Sequence, residues 1–458
     1  MSKVFLIASG MLSVKKIEHA FSKKQCYVNY GILRLASVIY ESGIDALVVQ
    51  GLFHSPKETL DRLQHNGYRS NKYPLLISIT SFFAVPWASE FCKLFNEIYP
   101  NQSIYIGGRW VVNNRVDWIY EKIPNIDLVV CGTSDNYIVD LITDKKLDFE
   151  FTNKGNKYYQ ANSKMPKSPL RYELLDERHR FHPSIEVSRG CGRGCSFCEE
   201  SHIKLEPLQE PKLVVENLKY LQSFYNKEKF YTYFEASNFL PTRDWAIKLS
   251  EEYKKYNLDC LWRCEIRVDT ICPETLEFLS KSGLKVIDVG LESASPTQLR
   301  RMNKTKKPEQ YLQKAEKLLQ KASKLGVLSK LNVLFYPGET NNTIQETFSW
   351  IKERVSLIKG VSVGSLILFG TPNEITSAMS EYKKHGASIA NPCSDDPEGV
   401  ARLNLSEEID FGKAEEYSSL FRKTFMSSKD YYDLKSFCYF PRNYSYSNFQ
   451  KDIRNSTA

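Results

Sequence analysis

The sequence predicts an α/β chain. An N-terminal doubly wound, Rossmann-like parallel sheet comes first, a partial (β/α)6 TIM-type barrel follows, and a mostly helical C-terminal extension ends the chain. Three observations carry this reading. Residues 1–165 alternate short, continuously apolar runs with helical patterns, as strands buried on both faces of a parallel sheet do. Six further strand–helix units lie between Ser184 and about residue 375. Beyond them the strand signal fades into a helical pattern and then a stretch crowded with tyrosine and phenylalanine. The expected domains are therefore 1–165, a connector 166–183, a barrel 184–375 and an extension 376–458.

In the first domain, Val4-Phe5-Leu6-Ile7-Ala8 reads as a buried strand. Residues 30–40 read as a helix with Ile32, Leu35, Ala36 and Ile39 on one face, ended by Gly43. Strands are expected at 46–49, 75–79, 103–106 and 128–131, with helices at 56–63 and about 87–98. Ligands of such a sheet sit at the carboxyl ends of its strands, here 78–82, 107–109 and 132–134. The connector carries Pro166, Pro169 and Pro183, and its His179 and His182 read as exposed. Barrel strands are expected at 184–187, 230–234, 260–267, 286–290, 331–335 and 361–368, with chemistry at their C-terminal ends. In the third of these, alternation puts Arg263, Glu265, Arg267 and Asp269 on one face. A charged row inside a barrel needs pairing, either within itself or with a ligand. In the extension, 406–426 reads as a helix, and the aromatic stretch 431–449 as packing on the barrel or as a lid over its mouth. Cys393 and Cys438 read as buried or free thiols.

After the first barrel strand comes Ser188-Arg189-Gly190-Cys191-Gly192-Arg193-Gly194-Cys195-Ser196-Phe197-Cys198, with three cysteines spaced C-x3-C-x2-C. Three thiolates on one loop hold a soft metal centre, and the glycines let the backbone come close to a bulky inorganic group. With His202 the set would be Cys3His and suit zinc. A disulfide between such close loop neighbours has poor geometry. A 4Fe–4S cluster takes one thiolate per iron, so three thiolates leave one iron open.

This loop resembles the signature of the radical S-adenosylmethionine (radical SAM) superfamily, with Cys191, Cys195 and Cys198 as cluster ligands and Phe197 as the aromatic residue before the last cysteine. The resemblance implies that the open iron binds the amino and carboxylate groups of SAM, and that SAM is cleaved to methionine and a 5′-deoxyadenosyl radical. It extends to later strand ends. Glu235 stands where the family binds the SAM amino group, and Arg267 lies near the cofactor. Glu292 and Ser293 match the ribose-binding segment, Met302-Asn303-Lys304 follows it, and Gly338 in Tyr336-Pro337-Gly338-Glu339-Thr340 stands beside the adenine. The first domain resembles the cobalamin-binding domain that precedes many such barrels, through its Gly31–Ala36 helix and its Gly107-Gly108 and Cys131-Gly132-Thr133 turns. The Asp-x-His-x-x-Gly motif of that domain is absent, and its histidines, His19, His54 and His65, have other contexts.

The resemblance implies an enzyme of natural-product biosynthesis that methylates an unactivated carbon or phosphorus of a small molecule with cobalamin. A flavodoxin- or ferredoxin-type electron donor goes with it. Its alternatives are a cobalamin-independent rearrangement or carbon–heteroatom bond formation, a tRNA methylthiotransferase-like enzyme, and a non-enzymatic iron–sulfur or zinc protein. Cys26, Cys92 and Cys131 lack the N-terminal cluster context of a methylthiotransferase, and the aromatic tail does not read as an RNA-binding barrel. No side chain is singled out as a general acid, base or nucleophile, because a radical needs none to break a C–H bond. The composition agrees: 42% hydrophobic and 25% charged residues are ordinary for a globular chain, and a net charge of +8 over 458 residues is a mild, solvated excess. No signal-peptide core or membrane-length apolar run is present, and 11 cysteines suit a reducing cytoplasm.

Overall fold

The computed structural model describes residues 2–12, 26–70, 72–145, 147–226, 230–391 and 396–456. His19, Cys393 and the side chain of His202 lie outside the described residues. The chain divides into two compact units: residues 1–181 with 369–374 and 393–400, and residues 182–368 with 375–392 and 401–458.

The first unit runs β1 (Val4–Ala8), α1 (Tyr30–Glu41), β2 (Ala46–Gln50), α2 (Pro56–His65), β3 (Leu75–Ser78), α3 (Val85–Ile98), β4 (Ile104–Gly107), α4 (Val116–Lys122), β5 (Leu128–Thr133), α5 (Ile138–Ile142), β6 (Glu150–Phe151) and β7 (Lys157–Asn162). Its sheet has the order β2-β1-β3-β4-β5-β7-β6 and is parallel except for β6. The chain moves outward in one direction to β2 and in the other from β3, so the topological switch lies between β1 and β3. The apolar strands are buried on both faces, and Phe91, Phe95 and Trp87 of α3 fill the layer against them. Helix starts follow local chemistry: Ser55 and Glu58 form a reciprocal capping box on either side of Pro56, and Asn29 caps α1 by accepting from Ile32 N.

The structure adds to and departs from the sequence reading here. The polar run Lys157–Asn162 is a strand, β7, which adds to the sheet in parallel with β5. Residues 166–181 are not a free connector but part of this unit. The buried Arg34 donates to Ser168 O, Arg171 N donates to Ser37 Oγ at 2.9 Å, and Asp176 N donates to Val48 O at 2.9 Å. His179 is exposed, as expected. His182 begins the second unit and is buried; its ring stacks on Tyr231, and its Nδ1 accepts from Tyr231 N. Burial, with the charge of Arg442, pushes its pKa down to about 3, so it is neutral rather than a solvated linker cation.

The second unit contains β8 (Ser184–Glu186), α6 (Pro211–Tyr225), β9 (Tyr231–Glu235), α7 (Arg243–Lys255), β10 (Leu261–Arg267), α8 (Pro273–Lys281), β11 (Leu284–Glu292), α9 (Pro296–Arg301), α10 (Pro308–Lys324), β12 (Leu328–Phe335), α11 (Asn341–Lys352) and β13 (Gly360–Ser365). These six strands pair in parallel in the order β13-β12-β11-β10-β9-β8, the open barrel expected from the repeats. The expected last strand breaks after Ser365, and β14 (Ile367–Phe369) joins another sheet of order β14-β16-β15. Its partners are β15 (Ser388–Ile389) and β16 (Val400–Asn404), and α12 (Pro372–Tyr382) lies between β14 and β15 in the chain. Three helices end the chain: α13 (Phe411–Phe425), α14 (Ser428–Ser436) and α15 (Tyr446–Ser456).

The aromatic extension is not a lid over the barrel mouth. Leu434, Phe437 and Cys438 pack with Val286, Tyr231, Tyr233, Leu261 and Leu328, residues at or near the starts of the barrel strands. Phe437 stacks on Tyr231 with centroids 4.1 Å apart. The segment therefore floors the barrel at the end opposite the strand ends. Cys438 is buried in that floor, away from the cysteine loop.

Candidate cofactor centre

Side chains of the inner barrel face alternate along each strand, and their depth decides their role. At the floor, Arg263 and Asp288 are both fully buried and form a two-point pair at 2.5 and 2.6 Å. Lys330 adds a third charge, 2.9 Å from Asp288. Burial alone would raise the Asp288 pKa, but Arg263 and Lys330 outweigh it and hold the carboxyl well below the ordinary range. Arg263 Nη1 also donates to Leu434 O and Phe437 O, closing the end of α14. This part of the charged row is structural.

Higher up, Glu265 faces the lumen and makes no ion pair among the described residues. Enclosure by the barrel, then the nearby Asp288 charge, push its carboxyl up. Glu235 stands beside it at the end of β9, bonded by Ser184 Oγ at 2.7 Å. Burial dominates there too, and its pKa is pushed up to about 8.

At the strand ends lies the cysteine loop, with Cys191 and Cys195 buried and Cys198 half-buried. Glu206 N donates to Arg189 O at 2.8 Å and closes the loop at its base. Cys191 N and Gly192 N both donate to Ile203 O. Gly190 has φ +72°, and a Cβ there would lie 2.2 Å from Lys204 O, so no other residue fits without moving the backbone. Neighbouring strand ends hold the loop as well. Asn238, after β9, donates to Cys191 O at 2.9 Å. Ser196 N donates to Met302 O at 2.9 Å, and Asn303 Nδ2 donates to Gly194 O at 2.6 Å. The Met302-Asn303-Lys304 segment is thus a clamp on the loop, a role that its place in the sequence did not disclose.

The three thiols are close enough to act on one another electrostatically, and burial raises the pKa of Cys191 and Cys198. Among the described residues no three His, Cys, Asp or Glu side chains converge on a single ion. The donor set is all thiol, on a glycine-shaped loop, with a guanidinium beside it: Arg267 Nη1 lies 3.0 Å from Cys195 Sγ. This fits a soft iron–sulfur centre better than a hard cation.

The remaining expected residues divide. Glu292 ends β11 with φ +64°, a costly conformation for a residue with a side chain, and pairs with Lys304 at 2.9 Å. Lys304 in turn reaches to 5.8 Å from the Phe197 ring centroid, and Phe197 lies edge-on to Tyr336. These four side chains adjoin the loop. Ser293 does not: it is buried, its hydroxyl pairs with Thr347 Oγ1 at 3.1 Å, and it accepts from Ser295 N. In this structure Ser293 ties the strand end to α11. Gly338 is also engaged by protein, donating to Leu405 O and accepting from Arg301.

At the carboxyl edge of the first sheet, Ser9 Oγ donates to Ser78 O at 2.7 Å across the switch point, and Asn29 reaches Ser78 Oγ. A Cβ on Gly10 would lie 2.2 Å from Gly51 O and 2.8 Å from Trp87 Nε1, so the β1 and β2 ends close tightly together. Gln50 Nε2, at the end of β2, is buried and lacks a hydrogen-bond partner among the described residues. An orphaned donor among small polar residues fits a ligand that presents acceptors, such as amide carbonyls. His54, the histidine at this edge, is bonded to Glu177 at 2.7 Å.

The sequence profile of the radical SAM superfamily matches residues 185–351, the cysteine loop and the barrel from β8 to α11. Residues 185–351 are a radical SAM domain. A radical SAM domain works with a 4Fe–4S cluster and SAM. The chain is similar to an uncharacterized methyltransferase of Pyrococcus horikoshii, 24% identical over 302 residues, 61% of this chain and 64% of that one. It is also similar to the threonylcarbamoyladenosine tRNA methylthiotransferase of Bacillus subtilis, 26% identical over 242 residues, 50% of this chain and 51% of that one. It thus spans about half to two thirds of these curated relatives. Its fold resembles TsrM, a radical SAM methyltransferase from Kitasatospora setae solved with cobalamin and a 4Fe–4S cluster. There the TM-score is 0.67 at 16% identity, over 94% of this chain and 90% of that one. It resembles OxsB, a cobalamin-dependent radical SAM enzyme, with TM-score 0.67 at 15% identity over 95% of this chain and 67% of that one. At these identities the likeness is one of fold. No helix among the described residues is long and apolar enough to cross a membrane.

Proposed function

We propose that this radical SAM enzyme methylates an unactivated carbon or phosphorus of a small molecule, with cobalamin held by its N-terminal sheet and an electron supplied by a flavodoxin- or ferredoxin-type protein of the cytoplasm. The observation that carries the reading is the C-x3-C-x2-C loop set at the barrel's strand ends, tied there by Asn238 and Asn303. A cluster bound there would supply the electron for cleavage of SAM to methionine and a 5′-deoxyadenosyl radical. The chain's own part is to hold and shield: Cys191, Cys195 and Cys198 bind iron, Glu235 takes the SAM ammonium, and Glu292 with Lys304 and Phe197 borders the nucleoside. Ser78, Gly108 and Gln50 border the cobalamin side. One observation favours a cobalamin-independent radical reaction instead: the histidine at that edge, His54, is occupied by Glu177.

Two measurements decide. Anaerobically reconstituted, dithionite-reduced protein given SAM should yield 5′-deoxyadenosine, and total absence of that product removes the radical reading. Protein refolded with hydroxocobalamin should retain about one equivalent per chain. A protein that retains none yet makes 5′-deoxyadenosine is the cobalamin-independent enzyme.

With a pKa of about 8, the Glu235 carboxyl is mostly protonated at neutral pH in the free protein. Pairing with an ammonium requires the anion, so SAM binding should release about 0.9 proton at pH 7 and almost none above pH 9. Calorimetry in buffers of different ionisation enthalpy reads this number. Glu235→Gln should abolish the release and weaken SAM binding about 10-fold or more. Binding at pH 7 with no proton released would remove Glu235 from the ammonium site.

A further inference from the structure

We propose that Arg267 acts on the cluster rather than on SAM, donating an N–H···S hydrogen bond to the Cys195 thiolate and raising the reduction potential of the centre. The inference rests on the reading of Cys191, Cys195 and Cys198 as cluster ligands.

A guanidinium has five N–H groups, and four here are committed. Nε and Nη2 bond the two carboxylate oxygens of Asp269, at 2.9 and 3.4 Å. Nη2 also donates to Lys304 O at 2.8 Å, and Nη1 lies 3.0 Å from Cys195 Sγ. A carboxylate of SAM would compete with Asp269 for the same fork, whereas the thiolate is already in hydrogen-bond reach. The side chain is 10% exposed, so its charge is weakly screened by water. Asp269 fixes the plane of the guanidinium, and Lys304 O fixes its tilt. Lys304 also ties back to Glu292, which links the arginine to the rim of the site.

The direction of the effect follows from charge. Reduction adds an electron that spreads over the irons and their thiolates. A cation and a hydrogen bond at one thiolate stabilise the reduced form more than the oxidised form. Arg267 is thus a positioning and tuning residue that makes the centre easier to reduce.

The test is a potentiometric titration of reconstituted protein without SAM, followed by electron paramagnetic resonance, on the wild type, Arg267→Lys and Arg267→Met. Iron and sulfide analysis first establishes that each protein holds a full cluster. The midpoint should move to lower potential in both variants, and further in the methionine variant, since lysine keeps the charge but loses the fork. An unchanged midpoint in a cluster-holding Arg267→Met protein overturns the proposal and leaves the cluster ligands standing. A wild-type protein that takes up no cluster overturns the ligand reading itself. If the methionine variant does not hold iron, the lysine variant decides by the same criterion. If neither holds iron while both keep the native circular dichroism, Arg267 is a clamp for the loop and the tuning role is overturned.

Discussion

Arg263→Met should lower the unfolding free energy by about 3–5 kcal/mol, the cost of breaking a buried pair by removing one partner. Asp288 would keep Lys330 but lose its two-point partner, and the carbonyls of Leu434 and Phe437 would lose their donor in a fully buried site. The double variant Arg263→Met with Asp288→Leu should recover part of the loss, because it leaves no carboxylate stranded in the floor. Urea unfolding of the metal-free protein measures both. A loss below about 1 kcal/mol for the single variant would mean that the floor is far wetter than the packing of Phe437 and Tyr439 indicates.

The second large effect is chemical. Replacing Cys191, Cys195 and Cys198 together by alanine should remove bound iron, sulfide and visible absorption, and with them all 5′-deoxyadenosine formation. The fold should survive. The loop is held by backbone bonds such as Glu206 N to Arg189 O and by Asn238 and Asn303, none of which uses a thiol. Far-ultraviolet circular dichroism should therefore match the wild type. A triple variant that still binds a full cluster would place the centre elsewhere in the chain.

What the sequence disclosed was set by range. The strands of both sheets were legible because burial on two faces makes a continuous apolar run, as in Val4–Ala8 and in Leu128 to Cys131 of β5. The metal loop was legible because its ligands and glycines fall within the nine residues from Gly190 to Cys198. β7 escaped because it lies near the sheet edge and its sequence, Lys157–Asn162, alternates like a surface segment. That the aromatic tail packs on the barrel was legible, but the end it packs on was not, because Phe437 meets Tyr231 across most of the barrel sequence. Asn303 and Ser293 were each visible as residues of a strand-end segment. Only packing separated the one that grips Gly194, 109 residues away, from the one that turns into α11.

The grip on the cysteine loop bears on how the protein is assembled. A metal site that must order its own loop spends part of the binding free energy on lost conformational freedom, and its apo form tends to unfold. Here the loop is shaped by Gly190, Asn238, Ser196 and Asn303 through bonds formed with the barrel itself. Loading then requires little rearrangement of the chain. Protein stripped of its iron by oxygen should persist as a folded receptacle that can be refilled, so that loss of the centre is a reversible injury.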